Sequence, residues 1–332
     1  MPEKEHNIST KAILAFAAIY LIWGSTYLAI RYAVETIPPL LMMGTRSLVA
    51  GSILVVWSRM RGDEFPRGEH WPALIIIGTS FFLIGHGLLA WAEQKVPSGL
   101  AALLVGSEPA WIALIEWTFV GDYKLGAKGI TGLILGFGGT VLLVAPSGGL
   151  GTNQTDLLGA GAIVIGTLSW SGGAIYSRVA KLPKSPRMNA GMELMIGGVL
   201  LLTAGLSFGE GREFHSVSIH SLLALLYLIT FGSIIAFSAY VWLLSHTSAT
   251  RVSTHTYVNP VIAVVLGWAL AGETLSLLTV AATAIIILSI YLVLGDWTHT
   301  AGRVAEKSVE RNDLTAGIVS KTKNTLDTTR DA

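Results

Sequence analysis

The chain has 332 residues, 52% of them hydrophobic and 13% charged, with a mean hydropathy of +0.61. Soluble domains carry roughly 25% charged residues, so about half that density implies a surface that faces lipid. A net charge of +1 excludes a broad surface for nucleic acid or other polyanions, and the absence of cysteine excludes disulfide frameworks, thiolate metal centres and thiol redox chemistry.

A helix needs ~20 apolar residues to cross the hydrocarbon core. On that measure the sequence predicts spans over 12–33, 38–59, 71–92, 97–119, 125–145, 156–177, 188–207, 219–244, 248–271 and 274–295. Residues 1–11 form a polar cytoplasmic segment, and the first span exceeds a signal-peptide core of roughly 7–15 residues, so it is expected to be retained. The tail, 296–332, holds six basic and six acidic residues with little apolar content, which predicts a disordered cytoplasmic appendage. With the N-terminus inside, 18 of the 22 Lys and Arg residues fall on cytoplasmic segments. The positive-inside rule therefore predicts a multi-pass protein of the cell's inner (plasma) membrane, with both termini cytoplasmic.

The sequence also repeats itself. "WGSTYLAIRYA" at 23–33 and "WSGGAIYSRVA" at 170–180 share Trp, Arg and Ala at matching positions, 147 residues apart, and Gly44 and Gly191 keep that offset. At an offset of 151, Trp91 meets Trp242, Pro109 meets Pro260, and Gly121-Asp122 meets Gly272-Glu273. Each half holds five predicted spans, an odd number, so the second repeat (156–295) must enter the membrane inverted relative to the first (12–145), with 146–155 connecting them. The expected fold is an all-α integral membrane protein of ten transmembrane helices in two inverted five-helix repeats. Many secondary transporters are built this way, with substrate sites near the midplane between repeats.

The stretches "IWGSTYLAIRYAV", "VPSGLAALLVGSEPAWIALIEWTFVGD", "SWSGGAIYSRVA" and "YVNPVIAVVLGWALAGETLS" resemble the EamA-type members of the drug/metabolite transporter superfamily, over residues 12–295. The resemblance implies a ten-helix inverted-repeat carrier, and several such carriers export amino acids or related metabolites. Where the family's fourth span often ends in Gly-Glu, this chain has Gly121-Asp122, a conservative change.

Polar residues inside the spans are the candidate site. Arg31 and Arg178 lie at span ends, where a long basic side chain either snorkels to the interface or serves a gate. Arg46 and Glu193 occupy equivalent repeat positions with opposite charge, near opposite faces, and divide between structural pairing elsewhere and gating. Glu108 precedes Pro109 as Asn259 precedes Pro260. A proline inside a helix removes a donor and frees a carbonyl, so both residues are expected to line a cavity, with proton coupling a further role for Glu108. His86 and Glu93, seven apart, share a helix face that is either a relay or partly solvated, and His255 shares a face with Asn259. Trp23, Thr26, Trp170, Tyr240 and Tyr257 sit deep in their spans, away from the usual interfacial belts. Their polar tips need a partner, water or a ligand.

These residues give the expected mechanism. Trp23, Thr26, Trp170, Tyr240, Tyr257 and Asn259 form the substrate site, while Glu108, His86, Arg46, Glu193 and His255 are candidates for coupling or gating. The predicted function is a secondary transporter exporting small metabolites such as amino acids by alternating access. The alternatives are an integral membrane enzyme on lipid-linked substrates and a passive channel. The partners expected are a small-molecule substrate and the lipid bilayer, with no nucleic acid, cofactor or metal, and either a monomer or a homodimer. "GDYKLGAK" at 121–128 lacks the Gly-Lys-Ser/Thr ending and preceding strand of a phosphate loop, so no nucleotide site is read there. Gly132 and Gly136 form a G-x-x-x-G that invites close helix packing.

Overall fold

The computed structural model describes residues 10–115, 118, 126–144, 154–212, 216–246, 252, 255–272, 276–278, 280–289 and 291–292. The predicted N-terminal segment up to residue 9, most of the connecting loop, Gly121-Asp122 and the tail lie outside the described residues.

Among the described residues the regular structure is helical throughout, with no strand. A lipid-facing backbone has no water to bond with, so a helix, which satisfies its own N–H and C=O groups, is the stable form of an apolar run. Six helices are long and apolar enough to cross a membrane: α1 (Thr10–Ala33), α2 (Pro39–Met60), α3 (Gly68–Ala92), α7 (Leu157–Ser177 of Gln154–Ser177), α8 (Pro186–Ser207) and α9 (Ile219–Leu243). The other predicted spans correspond to shorter pieces. They are α4 (Ser98–Val105) with α5 (Glu108–Ile115), α6 (Ala127–Val144), α10 (His255–Ala271) and α11 (Val280–Ser289).

Helix boundaries follow local chemistry. Pro39 and Pro186 open α2 and α8, where a missing N–H costs nothing, and the Ser185 hydroxyl accepts from the Met188 N–H as an N-cap. Just past the ends of α2 and α8, Gly62 (φ +84°) and Gly209 (φ +88°) make the left-handed turn that other residues resist.

The tightest packing joins α2 to α8. Small residues let the backbones approach: a Cβ on Gly44 would lie 2.8 Å from the Leu202 backbone nitrogen, one on Gly51 2.6 Å from that of Met195. Likewise a Cβ on Gly198 would lie 2.5 Å from the Leu48 nitrogen and one on Gly191 3.0 Å from that of Val55. The matches 44 with 202, 48 with 198, 51 with 195 and 55 with 191 run in opposite directions, so the helices are antiparallel. Adding 147 to one partner and subtracting it from the other turns the Gly44–Leu202 contact into Gly191–Val55, and Gly51–Met195 into Gly198–Leu48. The packing of this pair is therefore two-fold symmetric.

Two departures from an ordinary α-helix stand out. Residues Thr79–His86 of α3 and Leu228–Phe237 of α9 are π-helical. At the 151-residue offset the first segment falls on Thr230–Phe237, so the same defect recurs in both halves. Hydropathy gives no sign of it, because adding a residue to a turn leaves the apolar composition unchanged. The predicted packing of Gly132 and Gly136 is present: Ser289 of α11 donates to the Gly132 carbonyl at 2.7 Å, and a Cβ on Gly136 would run into the Ser289 hydroxyl.

Candidate functional site

A cavity of about 80 Å³ lies among α1, α2, α3, α4, α5, α7 and α10. It borders on eight of the residues singled out from sequence: Trp23, Thr26, Arg46, His86, Glu108, Trp170, His255 and Asn259. The structure thus brings together residues up to 236 positions apart (Trp23 to Asn259).

Proline chemistry shapes one wall. The predicted fourth span breaks after Val105 and restarts at Glu108, one residue before Pro109. Pro109 can supply no N–H to the Val105 carbonyl, and Pro260, inside α10, can supply none to that of Thr256. Val105 and Thr256 are themselves 151 apart, and both line the cavity. The two breaks meet, since a Cβ on Gly106 would stand 3.3 Å from the Pro260 ring. Ser107 turns its hydroxyl back to the Leu104 carbonyl at 2.6 Å, covering part of the exposed backbone.

The two repeat tryptophans sit on opposite sides of an aromatic chain. Trp170 stacks on Phe81 (4.3 Å) and touches His86 (5.0 Å), His86 meets Phe82 (5.3 Å), and Phe82 meets Phe237 (5.4 Å). Phe237 leads to Tyr240 (6.1 Å), and Tyr240 to Trp23 (4.9 Å), which also contacts His255 (5.0 Å). The Trp23 indole is fixed across the chain halves: its Nε1 donates to the Gly232 carbonyl in the π-helical turn of α9 at 3.2 Å. Tilted and stacked rings at these spacings fix each other's orientation.

Polar groups punctuate this apolar frame. The Thr26 hydroxyl donates to the Trp23 carbonyl at 2.7 Å. The Asn259 amide, oriented to satisfy its neighbours, donates to the carbonyls of His255 (3.1 Å) and Tyr20 (3.0 Å), tying α10 to α1. Arg46, 3% exposed, donates from Nε to the Ser233 hydroxyl at 2.8 Å and from Nη1 to the Met43 sulfur at 3.6 Å. His86 Nδ1 is buried with no hydrogen-bond partner among the described residues.

Two expected residues stand elsewhere. Tyr240 supports Trp23 from behind and is not on the cavity wall. Glu193 is buried at 4% exposure in α8, away from the wall. The side chain of Tyr257 lies outside the described residues. Glu93, read as partly solvated, is 1% exposed, and its carboxylate acts electrostatically on Arg46 and Tyr27. The fold buries the C-terminal end of α3, which the sequence reading placed at the interface. Sequence reading missed Thr167 and Thr256, which both line the cavity. A signal existed for Thr256, which sits one residue from His255 and four from Pro260.

An apolar helical frame that keeps charged and polar side chains round a cavity inside membrane-crossing segments has the character of a membrane transporter. The EamA-like transporter family model matches residues 10–145 and 157–295, once in each half. The inner membrane transporter YedA of Escherichia coli (strain K12) is 36% identical over 298 residues, covering 89% of this chain and 95% of YedA. The transporter YvbV of Bacillus subtilis (strain 168) is 25% identical, covering 86% and 92%. A WAT1-related chloroplastic protein of Arabidopsis thaliana is 26% identical, covering 82% and 67%. A solved crystal structure shares the fold with a TM-score of 0.63 at 21% identity, covering 86% of this chain and 97% of the other. The chain belongs to the EamA-like transporter family, as a multi-pass membrane transporter.

Proposed function

We propose that the protein is a secondary transporter that exports small polar or amphipathic metabolites, such as amino acids, across the cell's inner membrane by alternating access at the cavity described above. The observation that carries this reading is that Trp23 and Trp170, equivalent residues of the two halves, line one cavity together with Glu108 and Arg46. A charge within a membrane-spanning segment is costly, ~2.5–3.5 kcal/mol on insertion scales, and such residues mark transport pathways. The two-fold antiparallel α2–α8 packing favours two inverted repeats, and the Lys and Arg distribution of the sequence favours cytoplasmic termini. In this mechanism the halves rock about the cavity and expose it to one face at a time. The sequence has no nucleotide-binding motif, so the substrate gradient or a coupled ion drives the cycle.

Counterflow in proteoliposomes tests the reading. Each amino acid is preloaded unlabelled, and labelled uptake is followed for wild type and Trp170→Ala. Saturable exchange lost in Trp170→Ala is the expected result. Flux without saturation or counterflow would make the protein a channel.

A further inference from the structure

We propose that Arg46 is the anion-binding element of this cavity, and that the transported molecules are small monocarboxylates with a hydrogen-bond donor elsewhere on the molecule, amino acids and hydroxy acids alike. This rests on the carrier reading above and names the chemistry the same site selects.

Arg46 is a cation held almost wholly out of solvent within a membrane-spanning segment, and it lines the cavity. A guanidinium has five N–H donors in a planar fork. Here Nε is held by the Ser233 hydroxyl and Nη1 has a weak contact with the Met43 sulfur. Among the described residues no carboxylate stands within 4.0 Å of it to form a salt bridge, and Glu93 acts on it only from farther away. Removing a charge from water without a close counter-ion is strongly unfavourable, so the fold carries a group that a ligand would complete.

The surroundings are built to hold that group in place. Ser233 and Gly232 belong to the π-helical turn of α9, and a Cβ on Gly232 would lie 2.9 Å from Arg46 Nη2 and 3.1 Å from Thr26. Glycine there leaves room for the fork beside the cavity. With Nε fixed by Ser233, the terminal nitrogens are left for a planar oxyanion, which an arginine meets with two parallel bonds. Glu108, on the same cavity, is an acceptor for the ligand's ammonium or hydroxyl and opposes a second negative charge. One cation and one carboxylate in one apolar cavity therefore suit a monoanion with a donor better than a phosphate dianion.

The test uses the full chain in lipid nanodiscs and follows its melting temperature against twenty L-amino acids, their 2-hydroxy acid analogues and their decarboxylated amines. The expected result is that at least one carboxylate stabilises wild type while its matched amine does not. R46Q should then weaken binding about 30-fold or more, as for the loss of one partner in a buried charge pair, and R46K should recover part of it. S233A keeps the charge and removes only the bond that aims it, so it should weaken binding about 2- to 10-fold in a folded protein. Binding of the amine as tight as that of the acid, R46Q binding as tight as wild type, or no stabilisation by any carboxylate would each overturn the assignment. Counterflow with neutral sugars and amines separates the two levels. If these exchange while carboxylates do not, the carrier reading stands and the anion site falls; if nothing exchanges, both fall.

Discussion

Asp63 and Glu210 hold the two ends of one helix pair, and they are 147 residues apart. Each follows a left-handed glycine just past its helix, Gly62 or Gly209, and each carboxylate reaches the start of the opposite helix. Asp63 accepts from the Ser185 hydroxyl at 2.7 Å and from Arg187 at 3.1 Å at the start of α8, and also from Ser58. Glu210 accepts the Leu40 and Leu41 N–H groups at 3.2 and 2.9 Å at the start of α2. Helix N-termini carry unsatisfied donors and a partial positive charge, which is why a carboxylate is stable there. The chain uses one solution twice, clasping the α2–α8 pair at both faces.

Removing either clasp should lower stability. D63A and E210A are each expected to cost about 1–3 kcal/mol, the effect of leaving partly buried donors unpaired. α2 has 22 residues, about 33 Å at 1.5 Å per residue, so the two effects should add within about 0.5 kcal/mol. Melting temperatures of the single and double variants in nanodiscs would show this, and strong non-additivity would mean that the clasps communicate.

Asp63 also predicts a pH dependence. Its carboxylate is held below the usual range, chiefly by the Ser58 hydroxyl, then by Ser185 and Arg187 against the effect of burial. The unfolded chain, with its pKa of ~3.9, therefore takes up the proton first as pH falls. The stabilisation is complete above about pH 5 and is lost as pH drops through ~3.9 toward the folded-state value. The stability difference between wild type and D63N should be constant from neutral pH down to about 5 and shrink below that. A difference that persists undiminished at the acid end would show that Asp63 is not the titrating group.

Glycine substitutions should separate tight from open helix faces. G51A and G198A place a Cβ 2.6 and 2.5 Å from backbone nitrogens of the partner helix, which cannot rotate away. Each should cost about 1–3 kcal/mol or more by overpacking, visible as lower yield and melting temperature. G172A, whose Cβ would meet nothing within 4 Å, should match or exceed wild type, because alanine favours a helix over glycine.

Trp23 and Glu108 carry the functional predictions. W23F keeps a ring against Tyr240 but loses the bond to the Gly232 carbonyl, an expected cost of about 1 kcal/mol. W23A removes the ring and should cost about 3–5 kcal/mol, together with substrate exchange. If Glu108 couples protons, E108Q should abolish stimulation of uptake by an imposed pH gradient while leaving exchange at equal pH intact. Unchanged stimulation in E108Q proteoliposomes would remove Glu108 from coupling.

Much of the candidate site was visible in the linear chain. Trp23, Arg46, Glu108, Trp170 and Asn259 stood out because polar and aromatic groups deep in apolar runs are costly and need a reason. The break before Pro109 was equally legible, since a missing N–H is a property of the residue itself. Tyr240 and Glu193 were equally conspicuous by that criterion, yet they face helix neighbours rather than the cavity wall. Depth along a span follows from counting residues, whereas rotation about the helix axis depends on what packs beside it.

The sequence by itself determined the membrane environment and six long apolar helices, because transfer free energy sums locally along the chain, and it carries the offsets of 147 and 151 that relate the halves. Only the tertiary structure decided which charges share a cavity, that Glu93 is buried, and that Asp63 and Glu210 clasp one helix pair. The π-helical turns at Thr79–His86 and Leu228–Phe237 make the reason concrete. One extra residue turns every following side chain by about 100°, which changes which residues face the cavity while leaving hydropathy untouched.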